Sequence, residues 1–83
     1  MEKSLFTRDY KILCRLLKQA RERAEVTQVE LAKRLKETQS EISKYERGER
    51  RLDLVQLRRW CKALDVELTD FVRLFDETIS RRK

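Results

Sequence analysis

The chain has 83 residues, 43% of them charged, with one glycine and no proline. That length allows one small domain with a thin core, since a chain this short buries only about 60–65% of its unfolded surface. The tight turns of an all-β fold need residues that are nearly missing here. The abundant Leu, Lys, Arg and Glu favour helices, so the expected class is all-α. At 40% hydrophobic the chain can still form a core, which excludes global disorder. The net charge of +6 points weakly to a polyanionic partner. It is also what a solvated helical surface laced with ion pairs carries. Residues 1–26, 27–53 and 54–83 hold +3, +1 and +2, so any basic patch must be assembled by folding.

Cys14 and Cys61 are the only thiols, and there is no histidine. Two such ligands cannot make an ordinary zinc site, so no metal is expected. Both lie in apolar helical stripes and read as core thiols of a reducing compartment rather than as a disulfide. No apolar run reaches the ~18 residues of a membrane span. Met1 to Phe6 lack a signal-peptide hydrophobic region. The expected location is cytoplasmic, away from membranes.

In chain order, the first helix runs from about Thr7 to Ala24. Tyr10, Leu13, Leu17, Ala20 and Ala24 form its stripe, widened by Cys14 and Leu16. Thr27 and Glu30 make a capping box that starts a second helix at Gln28, ending at Leu35 or Lys36, with Val29, Leu31, Ala32 and Leu35 as its apolar face. A second box, Thr38 with Glu41, starts a third helix from Gln39 to about Arg47. It carries only Ile42 and Tyr45 as large apolar residues, so it leans on the core by one edge and shows the rest to something else. Gly48 ends it, because glycine takes a left-handed conformation at little cost. Asp53 with Gln56 caps a fourth helix whose stripe is Leu54, Leu57, Cys61 and Leu64, with Trp60 at its margin. The fifth, about Leu68 to Ser80, has the stripe Leu68, Val72, Phe75 and Ile79, broadened by Phe71. Arg81 to Lys83 form a basic, frayed tail. The core of this single 1–83 domain is therefore about 7–80.

Two short helices joined by Lys36-Glu37-Thr38 describe a helix-turn-helix. Small Ala32 permits a close crossing, and Leu31, Leu35, Ile42 and Tyr45 set the angle. The outer side of the third helix then presents Gln39, Ser40, Ser43 and Lys44, side chains suited to base edges in a major groove: Gln can bond adenine bidentately and Lys can reach guanine acceptors. The bland reading of the same residues is a solvated helix face.

The segment Thr27 to Gly48, TQVELAKRLKETQSEISKYERG, closely resembles the Cro/cI-type repressors, also called the xenobiotic-response-element family. The marks are T-Q-x-x-L-A, then I-S-x-Y-E-x-G, then A-L-x-V at Ala63 to Val66 with Leu57 ahead of it. Each is weak alone and strong in combination, and the resemblance covers about Leu13 to Phe75. It implies a five-helix, repressor-type DNA-binding domain whose second and third helices form the helix-turn-helix. By position, it implies that Gln39, Ser40 and Lys44 read bases, with Ser43 within reach of base or phosphate. It implies phosphate contacts from Gln28, Thr27, Arg47, Arg50 and Arg51. Gln28 also matches a residue that buttresses the first reader. Arg21 and Glu46 match an ion pair bridging the first and third helices, read here as structural.

Departures from the pattern are Glu25, Lys36 and Asp65 where glycine is usual, Glu37 where the turn is usually apolar, and Leu52 where proline is frequent. If the left-handed turns are kept, Glu25 and Lys36 should each carry about 1 kcal/mol of strain, with Asp65 the mildest.

One such domain touches few base pairs. The expected protein is thus a minimal homodimeric repressor or controller on a palindromic operator of double-stranded DNA. Candidate interface residues are Trp60, Phe71, Leu74, Phe75 and Ile79, with Trp60 readable equally as marginal core. The alternative is a protein-binding helical module such as an antitoxin, whose main partner is a protein. An enzyme is not expected, for there is no His, no phosphate-cradling glycine loop and no activated nucleophile. Neither a cofactor nor a small-molecule ligand is expected.

Overall fold

The first four helices begin where the chain supplies a side-chain acceptor for their orphan amides. A computed structural model describes residues 7–81 as five helices: α1 (Arg8–Arg23), α2 (Gln28–Leu35), α3 (Gln39–Glu46), α4 (Leu54–Ala63) and α5 (Leu68–Arg81). The readings made on Met1–Phe6 and on Arg82 and Lys83 lie outside the described residues; Arg81 is the last residue of α5. Thr7 caps α1 by accepting from the Tyr10 amide at 3.2 Å. Full capping boxes close α2, Thr27 with Glu30, and α4, Asp53 with Gln56. At α3 only half of the expected box forms. The Thr38 hydroxyl accepts from the Glu41 amide at 3.1 Å, but the Glu41 carboxylate turns to Arg50 and Lys44.

The four helix ends share one geometry. After α1, α2, α3 and α4 a single residue takes a left-handed conformation: Glu25 (φ 59°), Lys36 (φ 58°), Gly48 (φ 80°) and Asp65 (φ 60°). In each case the next residue's amide reaches back five positions: Val26 to Arg21, Glu37 to Ala32, Glu49 to Lys44, Val66 to Cys61. This is the Schellman closure, which satisfies the last carbonyls of the helix. Three of the four are made without glycine, at the positions where the sequence pattern placed strain. Gly48 follows Arg47, which is the residue that caps α3.

The core gathers Ile12, Leu16, Leu17, Val26, Leu31, Ala32, Leu35, Ile42, Tyr45, Leu57, Trp60, Cys61, Leu64 and Phe71. α2 packs on α3 and α4, and α1 packs on α3 and α5. Several stripe assignments shift by one position. Ile12 is buried although the stripe reading omitted it, while Ala24, Val29 and Val72 face outward. Leu54 is 66% exposed, because α4 turns Leu57, Trp60, Cys61 and Leu64 inward and its first residue overhangs the core. Trp60 and Phe71 were candidate interface residues. Each is only 3% exposed, so they are core and offer no docking surface. Trp60 meets the Tyr45 ring edge-on, centroids 5.9 Å apart. The free thiols of Cys14 and Cys61 are buried, and burial pushes both above the ordinary thiol range.

Two arginines tie α2 to α4 in a way no local pattern reveals. Arg34 donates to the carbonyl of Ala63, the last residue of α4, at 2.7 Å, and Arg59 donates to the carbonyl of Leu35, the last residue of α2, at 2.8 Å. Each helix thus lends a cation to the negative end of the other's dipole.

Candidate nucleic-acid interface

The capped start of α3 leaves Gln39 and Ser40 exposed, with Ser43 and Lys44 half-exposed further along the helix. Ile42 and Tyr45 are buried on its opposite edge and anchor it. The Tyr45 hydroxyl accepts from Gln56 of α4 at 2.9 Å, which holds that edge from a second direction.

Behind Gln39 lies a continuous hydrogen-bond chain. Gln39 Nε2 donates to Gln28 Oε1 (3.2 Å), and Gln28 Nε2 donates to Glu46 Oε1 (3.0 Å). The Glu46 carboxylate takes two further bonds from Arg21, from Nε at 2.6 Å and Nη2 at 3.1 Å. Arg21 Nη1 continues to the Val26 carbonyl at 2.9 Å, on the turn between α1 and α2. The Glu46 side chain is 3% exposed. Its bonds to Arg21 raise the guanidinium's already high pKa. Both carboxylate oxygens already accept from the guanidinium, so the Gln28 amide points its NH2 at Glu46 and its oxygen at Gln39. The Gln39 NH2 is then held on the α2 side. The family resemblance implies the pairs Arg21–Glu46 and Gln28–Gln39; that the two pairs join has no sequence signal, since it depends on how α1, α2 and α3 cross.

The phosphate candidates divide by their present partners. The Thr27 oxygen is spent on capping α2, and the Glu30 carboxylate occupies the same helix end, held below its usual range by the Thr27 amide. Arg47 lies bidentate on Glu49 (2.9 and 3.1 Å) and also reaches the Ser43 hydroxyl. Arg50 meets Glu41 at 3.1 Å, with Lys44 3.9 Å from the same oxygen. The Arg51 guanidinium lies over the Tyr10 ring, 4.9 Å from its centroid. Arg47, Arg50 and Arg51 are all exposed at the end of α3 and in the loop after it. The loop is held by Tyr10 of α1, a residue the sequence reading assigned only to the core.

Among the described residues no group of three or more Cys, Asp or Glu is placed to hold a metal, and no helix is long and apolar enough to cross a membrane.

A five-helix array with α2 and α3 crossing through a left-handed turn and a polar outer face on α3 is a helix-turn-helix domain. The family model described as helix-turn-helix matches residues 17–71. A solved structure, the XRE-family like protein from Pseudomonas syringae pv. tomato str. DC3000, is 36% identical to this chain. It superposes with a TM-score of 0.79 over 84% of this chain and 85% of its own. No curated protein matches. The chain belongs to the XRE family of helix-turn-helix proteins, and it is a DNA-binding transcriptional regulator.

Proposed function

We propose that the chain is a homodimeric repressor or controller that reads a palindromic operator in double-stranded DNA through α3. The observation that carries this reading is the Arg21–Glu46–Gln28–Gln39 chain, which fixes the exposed Gln39 amide with one N–H on Gln28 and leaves its second N–H and its oxygen for a base edge. Adenine is the base whose major-groove edge offers one acceptor and one donor to match it. Gln39 therefore reads adenine, and Ser40, Ser43 and Lys44 contact neighbouring bases. Arg47, Arg50 and Arg51 exchange their carboxylate and ring partners for phosphates. Gln28 and Thr27 contact the backbone at the start of α2, Thr27 through its hydroxyl proton.

Two copies related by a two-fold axis place their α3 helices about 34 Å apart, one helical turn of DNA. With Trp60 and Phe71 inside the core, the dimer face is assigned to Leu74, Phe75 and Ile79 of α5, which are half-buried. Beside them Val72 is exposed. The same residues support the second reading, a helical module whose main partner is a protein. Selection from a random duplex pool, followed by affinity against salt, separates the two. A DNA reader enriches a palindrome, and its log K falls steeply with log salt. No enriched motif would leave the protein-binding module ahead.

A further inference from the structure

Arg50 and Arg51 sit in a short segment outside any helix, between Gly48 and the Asp53 cap. Three charged residues, Glu49 to Arg51, follow one another there. Such a segment has little apolar surface to hold it, yet it is bound at one point. Tyr10, 40 positions earlier in the first turn of α1, donates its hydroxyl to the Arg50 carbonyl at 2.7 Å. The same oxygen accepts from the Leu52 amide at 2.9 Å. One hydroxyl thus holds the carbonyl before Arg51 and the amide after it, and fixes the direction in which Arg51 leaves the backbone. The buried ring below carries the Arg51 guanidinium on its face. From the other side, Glu41 of α3 holds the Arg50 side chain. The two arginines are therefore registered against α1 and against the outward face of α3 together.

We propose that Tyr10 is a positioning residue for DNA binding: through its hydroxyl it presets Arg50 and Arg51 for the phosphate backbone, without touching DNA itself. This rests on the DNA-reading function proposed above. Phosphate contacts set the register of a protein on the duplex and carry no base information. Loss of the preset geometry therefore weakens every sequence alike.

The test is Tyr10→Phe, which keeps the ring and removes both hydrogen bonds. Measured well below its melting temperature, Y10F should bind duplexes about three- to tenfold more weakly whatever their sequence. It should still select the wild-type palindrome, and its log K against log salt should be shallower by up to about one. In an R50A/R51A background the same change should have no further effect, an outcome that a general loss of stability would not produce. Should Y10F melt below the assay temperature, Leu52→Pro, which removes the amide donor and keeps the Tyr10 ring while altering the Leu52 packing, replaces it. Unchanged affinity and salt slope in the variant overturn the proposal, as does an equal loss in the R50A/R51A background. A wild-type chain with no salt-dependent duplex binding sinks the DNA-reading function instead.

Discussion

Replacing Glu46 with alanine should cost about 3 kcal/mol of folding stability. The Glu46 carboxylate is almost fully withdrawn from water and receives three hydrogen bonds, two from Arg21 and one from Gln28. Alanine removes both acceptor oxygens, and with them all three bonds, and leaves a buried guanidinium holding only the Val26 carbonyl. Breaking a buried ion pair from one side costs about 3–5 kcal/mol, because the remaining charge stays desolvated. The low end applies, since Arg21 keeps one partner. A domain of this size has a stability of only about 4–12 kcal/mol. The loss therefore appears as a fall of about 12–24 °C in Tm, or as a clear drop in urea midpoint at unchanged m. Replacing both partners together, R21M/E46L, should be milder than E46A, because no charge is stranded. A urea titration showing E46A within about 0.5 kcal/mol of the parent would mean that water reaches the pair, and the burial argument would fail.

Lys36→Gly should stabilise the domain by about 1 kcal/mol and leave the selected DNA sequence unchanged, because the residue holds φ 58° and ψ 44°, where a Cβ is costly; a lower Tm would refute the strain. Gln39→Ala should relax one base position by about 1–3 kcal/mol, whereas Arg50→Ala should weaken all duplexes alike and reduce the salt slope by about one. Both outcomes are read in competition assays against single-base variants of the selected site. Stability should fall as pH rises past about 9, because Cys14, Cys61 and Tyr10 all have folded pKa values above their ordinary ones, chiefly through burial. The unfolded chain then releases these protons first, so it binds fewer protons and gains with pH. A flat urea midpoint between pH 7 and 10 would contradict that sign.

Helix starts and stops were legible because they are local. Thr27 with Glu30, Asp53 with Gln56 and the glycine after α3 mark their boundaries within a few residues. The left-handed turns at Glu25, Lys36 and Asp65 followed from alignment of a motif, not from residue chemistry, since Glu and Lys do not favour that conformation. Stripe membership was less legible. Periodicity defines a face to within about one residue, and the neighbours then rotate the helix. Thus α4 sank Trp60 and lifted Leu54 out, and α5 sank Phe71 and turned Val72 outward. Contacts across the bundle left no local trace. The Arg34 and Arg59 ties, the join of Gln28 to Glu46, and the Tyr10 bridge span 18 to 42 positions.

The charge pattern of the α3 face bears on how affinity and selectivity divide. Residues 27–53 carry seven cations but a net charge of only +1, and the folded chain shows where the difference goes. Arg47 is matched by Glu49, and both Arg50 and Lys44 by Glu41. Each exposed pair is worth at most about 1 kcal/mol, so exchanging it for a phosphate costs little. Until that exchange Glu41 and Glu49 offset two of the four cations Lys44, Arg47, Arg50 and Arg51, which lowers attraction to arbitrary DNA. The amide of Gln39, the proposed base reader, is held by a different device, a link through Gln28 to a buried charge pair that salt screens weakly. Under the proposed function, salt should therefore change affinity strongly and sequence preference hardly at all. The comparison is direct: measure the ratio of binding constants for the selected site and a variant changed at the Gln39 base, at two salt concentrations. A ratio that collapses together with the affinity would show that the reader depends on the surface cations after all.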